Sequence, residues 1–254
     1  MLGGIVGQRH ARRGWSAGVS VAAIALVSCA TAPSVFIRQV LAPPVTGAVA
    51  GTACIYMPIA IGPQLSAGLV DAGLRDSYRA VLLAGSQIVS SASADQRRVE
   101  ASQFLIEGAE VHVFDAKENE LRSFTRLATA TLEPALGIIA SYATVEVDIL
   151  DGESIREAAA NLKARNETRR VVVDVVLFGH TLGGVAVEST AYRFPIDVCK
   201  GCLVSFEADT DDPTLPGPDC KGTPAEAAIV PCFIGQDQKV SCADCQGYGV
   251  CELG

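Results

Sequence analysis

Positive charge is scarce in this chain. Against 28 acidic residues its 254 residues carry 20 Lys and Arg, a net charge of −8. Nucleic acid and anionic lipid are bound through Lys/Arg-rich patches, so this balance argues against both as partners. Histidine is scarcer still: of three, only His112 and His180 lie beyond the first 28 residues. No G-x-S-x-G occurs in that stretch either, so the nucleophile elbow of a hydrolase is missing there. Beyond residue 29 no apolar run approaches the ~20 residues that a membrane-crossing helix needs.

The N-terminus carries what the rest lacks. Arg9, His10, Arg12 and Arg13 form a basic patch, and an apolar run from Ala17 to Val27 follows. A basic region before a short apolar one reads as a secretory signal that is removed from the mature protein. Leu26-Val27-Ser28-Cys29 resembles the lipobox of bacterial lipoproteins. The resemblance implies a diacylglycerol thioether on Cys29, cleavage after Ser28 and acylation of the new amino group. Two or three acyl chains exceed the single chain whose membrane binding is marginal. Ala30 stands where Asp favours inner-membrane retention in enteric lipoproteins, so the resemblance implies the outer membrane. The alternative is an ordinary signal peptide cut after Ala30 or Ala32.

Removing residues 1–28 takes away Arg9, Arg12 and Arg13, leaving 17 basic residues against 28 acidic, a net charge of about −11. With Cys29 set aside for lipid, eight cysteines remain: Cys54, Cys199, Cys202, Cys220, Cys232, Cys242, Cys245 and Cys251. An even number in an exported chain reads as four disulfides, whose connectivity spacing alone does not choose. Seven of the eight lie in the last 56 residues, so Cys54 either pairs with that tail or stays free.

Four segments are expected: a signal peptide over 1–28, a tether over 29–48 rich in Ala, Gly and Pro, a β domain over 49–198 and a Cys-rich segment over 199–254. Val49–Met57 reads as a first strand and Ala80–Ser90 as an apolar one. Val99–Ile106 and Ala109–Asp115 are expected to form a hairpin about Glu107-Gly108. The polar turn Ala116–Glu120 leads into Leu121–Thr131, and Tyr142–Leu150 alternates apolar with polar. Ser154 and Glu157 have capping-box spacing and open the one expected helix, through Ala164. Arg169–Thr181 is apolar on both faces and reads as a central strand between two packed layers; Val185–Val198 pairs with it across Gly183-Gly184. Short-spaced strands with a single helix predict a mainly β fold: an antiparallel immunoglobulin-like β-sandwich with a disulfide-rich C-terminal segment. That segment, broken by Pro213, Pro216, Pro218, Pro224 and Pro231, buries little core and is stapled by sulfur.

Candidate chemistry is thin. Cys199-Lys-Gly-Cys202 and Cys242-Ala-Asp-Cys245 have the spacing of zinc or redox motifs, but 39 residues and two further cysteines separate them. In an oxidising compartment structural disulfides are expected, with no metal and no cofactor. Asp209, Asp211 and Asp212 lack the Gly turn and distal Glu of an EF-hand and read as a solvated loop. Asn166-Glu167-Thr168 fits a glycosylation sequon that the lipobox makes irrelevant.

The hairpin and tail (VVVDVVLFGHTLGGVAVESTAYRFPIDVCKGC, then PCFIGQDQKVSC) resemble secreted lipoproteins of myxobacterial type. Those share a β-rich body, a PI-x-V-C-x-G-C junction and a cysteine-containing C-terminus, so the resemblance implies architecture and no particular activity. The expectation is a non-enzymatic protein anchored to the membrane through Cys29. Its role would be structural or adhesive, or it would meet a protein or glycan partner through loops at the sandwich end. Two alternatives stand beside it: an envelope hydrolase working through His112 and His180, and a metal-binding lipoprotein using the CxxC pairs.

Overall fold

A computed structural model describes residues 34–44, 54–90, 102–165, 167–206, 220 and 231–252. The signal segment, Cys29, Asn166 and the acids Asp209, Asp211 and Asp212 lie outside the described residues.

In chain order the strands are β1 (Val35–Leu41), β2 (Gln64–Leu65), β3 (Gly68–Asp71), β4 (Tyr78–Ser86) and β5 (Phe104–Asp115). There follow β6 (Glu120–Leu132), β7 (Ser141–Leu150), the helix α1 (Gly152–Ala159) and β8 (Arg169–Thr181). Last come β9 (Ala186–Glu188), β10 (Tyr192–Cys199), β11 (Val204–Ser205) and β12 (Val240–Ser241). One sheet has the order β2-β1-β4-β7; the other runs β3-β10-β8-β5-β6, with β9 on β8. The chain passes from the first sheet at β4 to the second for β5 and β6, returns for β7 and crosses again to β8. This interleaving is that of an immunoglobulin-like sandwich. Its core draws on both sheets: Val35, Leu82 and Ile149 from one meet Phe104, Val173 and Phe194 from the other.

The pairing is antiparallel throughout both sheets except at one edge. There β3 runs parallel to β10, with Asp71 opposite Cys199. β8 has the bounds its β-branched run dictates, and it lies between β5 and β10. Val171, Val173, Val175 and Leu177 face the core, whereas Val172, Val176 and Phe178 are half-buried on the other side. The expectation of two packed layers around β8 is therefore corrected to one. Its partner is interrupted at Ser189, whose Oγ accepts from Leu177 N at 2.9 Å, so the return splits into β9 and β10. Gly184, at φ +82°, supplies the left-handed residue the connecting turn requires.

Four other expectations are corrected. Val35–Leu41, assigned to the tether, is a strand because alternate residues face the core while it pairs with β4 from Val35↔Ser86 to Val40↔Leu82. The described part of the expected strand 49–57 carries no strand. Glu107-Gly108 is no turn: β5 runs through it with a bulge, and β6 and β8 both continue alongside. A side chain at Gly108 would lie 2.5 Å from the Phe178 ring, which is why glycine sits there. The helix starts earlier than expected because Asp151, not Ser154, is its N-cap and accepts from Ser154 N at 3.0 Å. That phase turns Ile155 and Ala158 into the core.

Replacing Leu177 by Ala should cost about 2–5 kcal/mol of stability. Val176→Thr on the opposite face should cost about 1 kcal/mol or less. Equal costs in urea unfolding would contradict the assignment of faces.

Candidate functional site

Four regions combine chemistry-bearing or exposed residues: the join between sandwich and tail, the disulfides, the outer face of the larger sheet, and the loops at one end. The join is built on two carboxylates. Asp71, fully buried at the end of β3, accepts from Gly73 N at 2.9 Å, Gly201 N at 2.7 Å and Leu203 N at 3.0 Å. Asp237 accepts from Leu69 N at 2.8 Å through one oxygen and from the Tyr78 hydroxyl at 2.9 Å through the other. Burial raises the Asp237 carboxyl above the ordinary aspartate range, against the lowering effect of these bonds. Burial also pushes Tyr78 well above 10 and Tyr56 up to about 12, each helped by the Asp237 charge. Between them Gln236 holds Arg79 as a neighbouring strand would, accepting from its N at 2.9 Å and donating to its O at 2.7 Å. The sequence pattern assigns no role to Gln236, Asp237 or the Gly201 and Leu203 backbone. Their signal is faint: polar side chains (QDQ) amid cysteines and prolines.

The eight cysteines among the described residues are all bonded to one another. The pairs are Cys54–Cys232, Cys199–Cys202, Cys220–Cys242 and Cys245–Cys251. Cys54 thus joins the tail, across 178 residues of sequence. The second CxxC does not act as a unit, since Cys242 and Cys245 bond to different partners. Among the described residues, the ligand atoms of Asp71, Cys199 and Cys202 lie within 4.8 Å of one another. The set does not fit a cation, because the sulfurs are bonded together and backbone N–H groups occupy the carboxylate.

The two histidines are kept apart on the outer face of the larger sheet. His112 stands opposite Asp174, and His180 stands six residues further along β8, opposite Leu105. Six strand residues span about 20 Å. His112 Nδ1 is 2.8 Å from Glu120 and Nε2 is 3.2 Å from Glu110. The bond to Glu120 chiefly raises its pKa above the ordinary value. With a carboxylate on each ring nitrogen, this imidazole has no nitrogen left to take a hydroxyl proton. His180 pairs with Glu107 at 3.1 Å. Arg193 reaches Asp174 at 3.8 Å and Glu118 at 3.3 Å, and Arg170 pairs with Asp197 at 2.8 Å, so the face is a lattice of ion pairs.

The fourth region is apolar. Val89, Leu136, Ile138, Ile139, Leu182 and Val185 are exposed large hydrophobic residues, and all six lie on loops. In sequence they look like the fringes of strands; only their neighbours in space bring them together.

No family model matches this chain, and no curated protein matches it significantly.

Two outcomes test the join and the ion-pair face. On a loop-entropy account, opening the 178-residue Cys54–Cys232 loop should cost about 5 kcal/mol and the six-residue Cys245–Cys251 loop about 2. The melting temperature of a Cys54→Ser/Cys232→Ser double variant should therefore fall further than that of Cys245→Ser/Cys251→Ser. His112 is held above its unfolded pKa of about 6.5, so its contribution is complete below that pH and fades as pH rises through the folded value. The stability gap between the wild type and His112→Gln in urea should be widest near pH 5.5 and narrow above neutrality; a constant gap would contradict the pairing.

Proposed function

We propose that this is a lipid-anchored protein of the cell envelope, held in the outer membrane by acyl chains on Cys29. Its folded body has a structural, adhesive or partner-binding role and is not catalytic. The observation that carries this reading is Leu26-Val27-Ser28-Cys29, placed directly behind a basic and apolar leader. The four disulfides support it, because such bonds persist in oxidising compartments outside the cytosol. The non-catalytic part rests on the histidines, which are about 20 Å apart and paired with carboxylates. An immunoglobulin-like sandwich offers partners its end loops, and the ion-pair lattice on the outer sheet is a polar surface suited to a protein or glycan.

Intact mass of protein purified from membranes tests the reading. The expected species lacks residues 1–28, carries two or three acyl chains and has eight fewer hydrogens than its reduced form. A Cys29→Ala variant should leave the membrane fraction. Full-length protein recovered unacylated from cytosol, with free thiols, would refute it.

A further inference from the structure

The exposed apolar loops and the entry of the chain share one end of the sandwich. Val35 opens β1 opposite Ser86, where β4 ends, and Ser141 opens β7 opposite the same residue. Ser34 O accepts from Gln87 N at 2.7 Å, and Ala135 N donates to Ile88 O at 2.7 Å, tying the β6–β7 loop to this end. Leu182 N donates to Gln103 O at 2.9 Å, and Gln103 reaches Glu133 at 2.6 Å, so the β8–β9 turn joins the same cluster. Leu136 (81% exposed) and Ile138 (101%) project from it, and Val89, Ile139, Leu182 and Val185 are exposed on the loops at the same end. Soluble domains rarely leave such a patch uncovered unless something docks on it.

The occupant follows from chain length. Because Val35 already belongs to a strand, only four residues (30–33) lie between Cys29 and Ser34, five chain steps with a reach of at most about 18 Å. We infer that this end of the sandwich faces the bilayer and that its apolar loops dip into the lipid interface beside the acyl chains. This rests on the acylation of Cys29 proposed above. The contact is hydrophobic, because the exposed side chains described at this end are apolar and the chain is acidic overall. A rigid, loop-seated body then stands upright, with the ion-pair sheet face and the tail away from the membrane plane.

The mature chain contains no tryptophan, since Trp15 lies in the leader, so a single introduced indole reports its own surroundings. Lipidated full chain carrying Ile138→Trp is reconstituted into phosphatidylcholine vesicles with or without brominated acyl chains. Ile61→Trp, at an equally exposed position beside Pro63 near the opposite end of β1, is the control. The expected result is blue-shifted emission that loses most of its intensity in brominated vesicles for Ile138→Trp, and no loss for Ile61→Trp. Leu136→Trp repeats the measurement should the first variant misfold. Intact mass of the same sample reports acylation separately. An acylated chain with solvent-like, unquenched emission overturns the docking and leaves the anchor standing. Blue-shifted emission without bromine quenching means that a second copy covers the patch, and overturns it too. A chain without acyl mass overturns the anchor, and the docking with it.

Discussion

Two carboxylates, Asp71 buried and Asp237 half-buried, hold this molecule together where its sandwich meets its tail. Asp71 gathers three backbone N–H groups, two of them from the Cys199–Leu203 turn. Asp237 takes a backbone N–H from β3 and a hydroxyl from β4. A carboxylate removed from water is costly unless its lone pairs are filled, and here strand ends and a tight turn fill them. The tail buries only a small cluster of its own, including Leu203, Val204, Val240 and four of its cysteines. Its fold is therefore borrowed: from the sandwich through Asp71 and Gln236, and from sulfur through the disulfides.

That join also explains why β4 is buried on both faces. β4 is covered on its outer side as well as at the core, because Leu41, Val81 and Leu83 pack with Tyr56 and Phe233. The segment from Cys54 and the loop holding Cys232 meet over it, fastened by their disulfide. Among the described residues the second sheet has such cover only at its β3 edge, where Leu69 packs on the tail cluster. Over the rest of that face, outward histidines, arginines and carboxylates pair with one another.

Exposed apolar side chains lie toward both ends of the sandwich, since Ile55, Met57, Ile59 and Ile61 stand out near the far end of β1. One end carries apolar loops on the side where the chain enters from Cys29, and charged pairs cover the sheet between. If Cys29 is acylated as proposed, the entry end of the sandwich is the one the anchor reaches.

Much of this was legible in the chain itself. The β-branched run of Arg169–Thr181 determined a central strand with the bounds it has, while which of its two apolar faces meets the core was decided by the packing of the sheets. The cysteine count and placement determined a tail held by sulfur. The bulge at Gly108 and the strand at Val35 were decided by partners distant in sequence, the Phe178 ring and the edge of β4, whereas the helix start was set locally by Asp151. The pairing of eight sulfurs, the filling of Asp71 and Asp237 and the gathering of six apolar loop residues likewise exist only in three dimensions. A buried carboxylate or an exposed isoleucine is defined by what surrounds it, and local pattern records only what precedes and follows it.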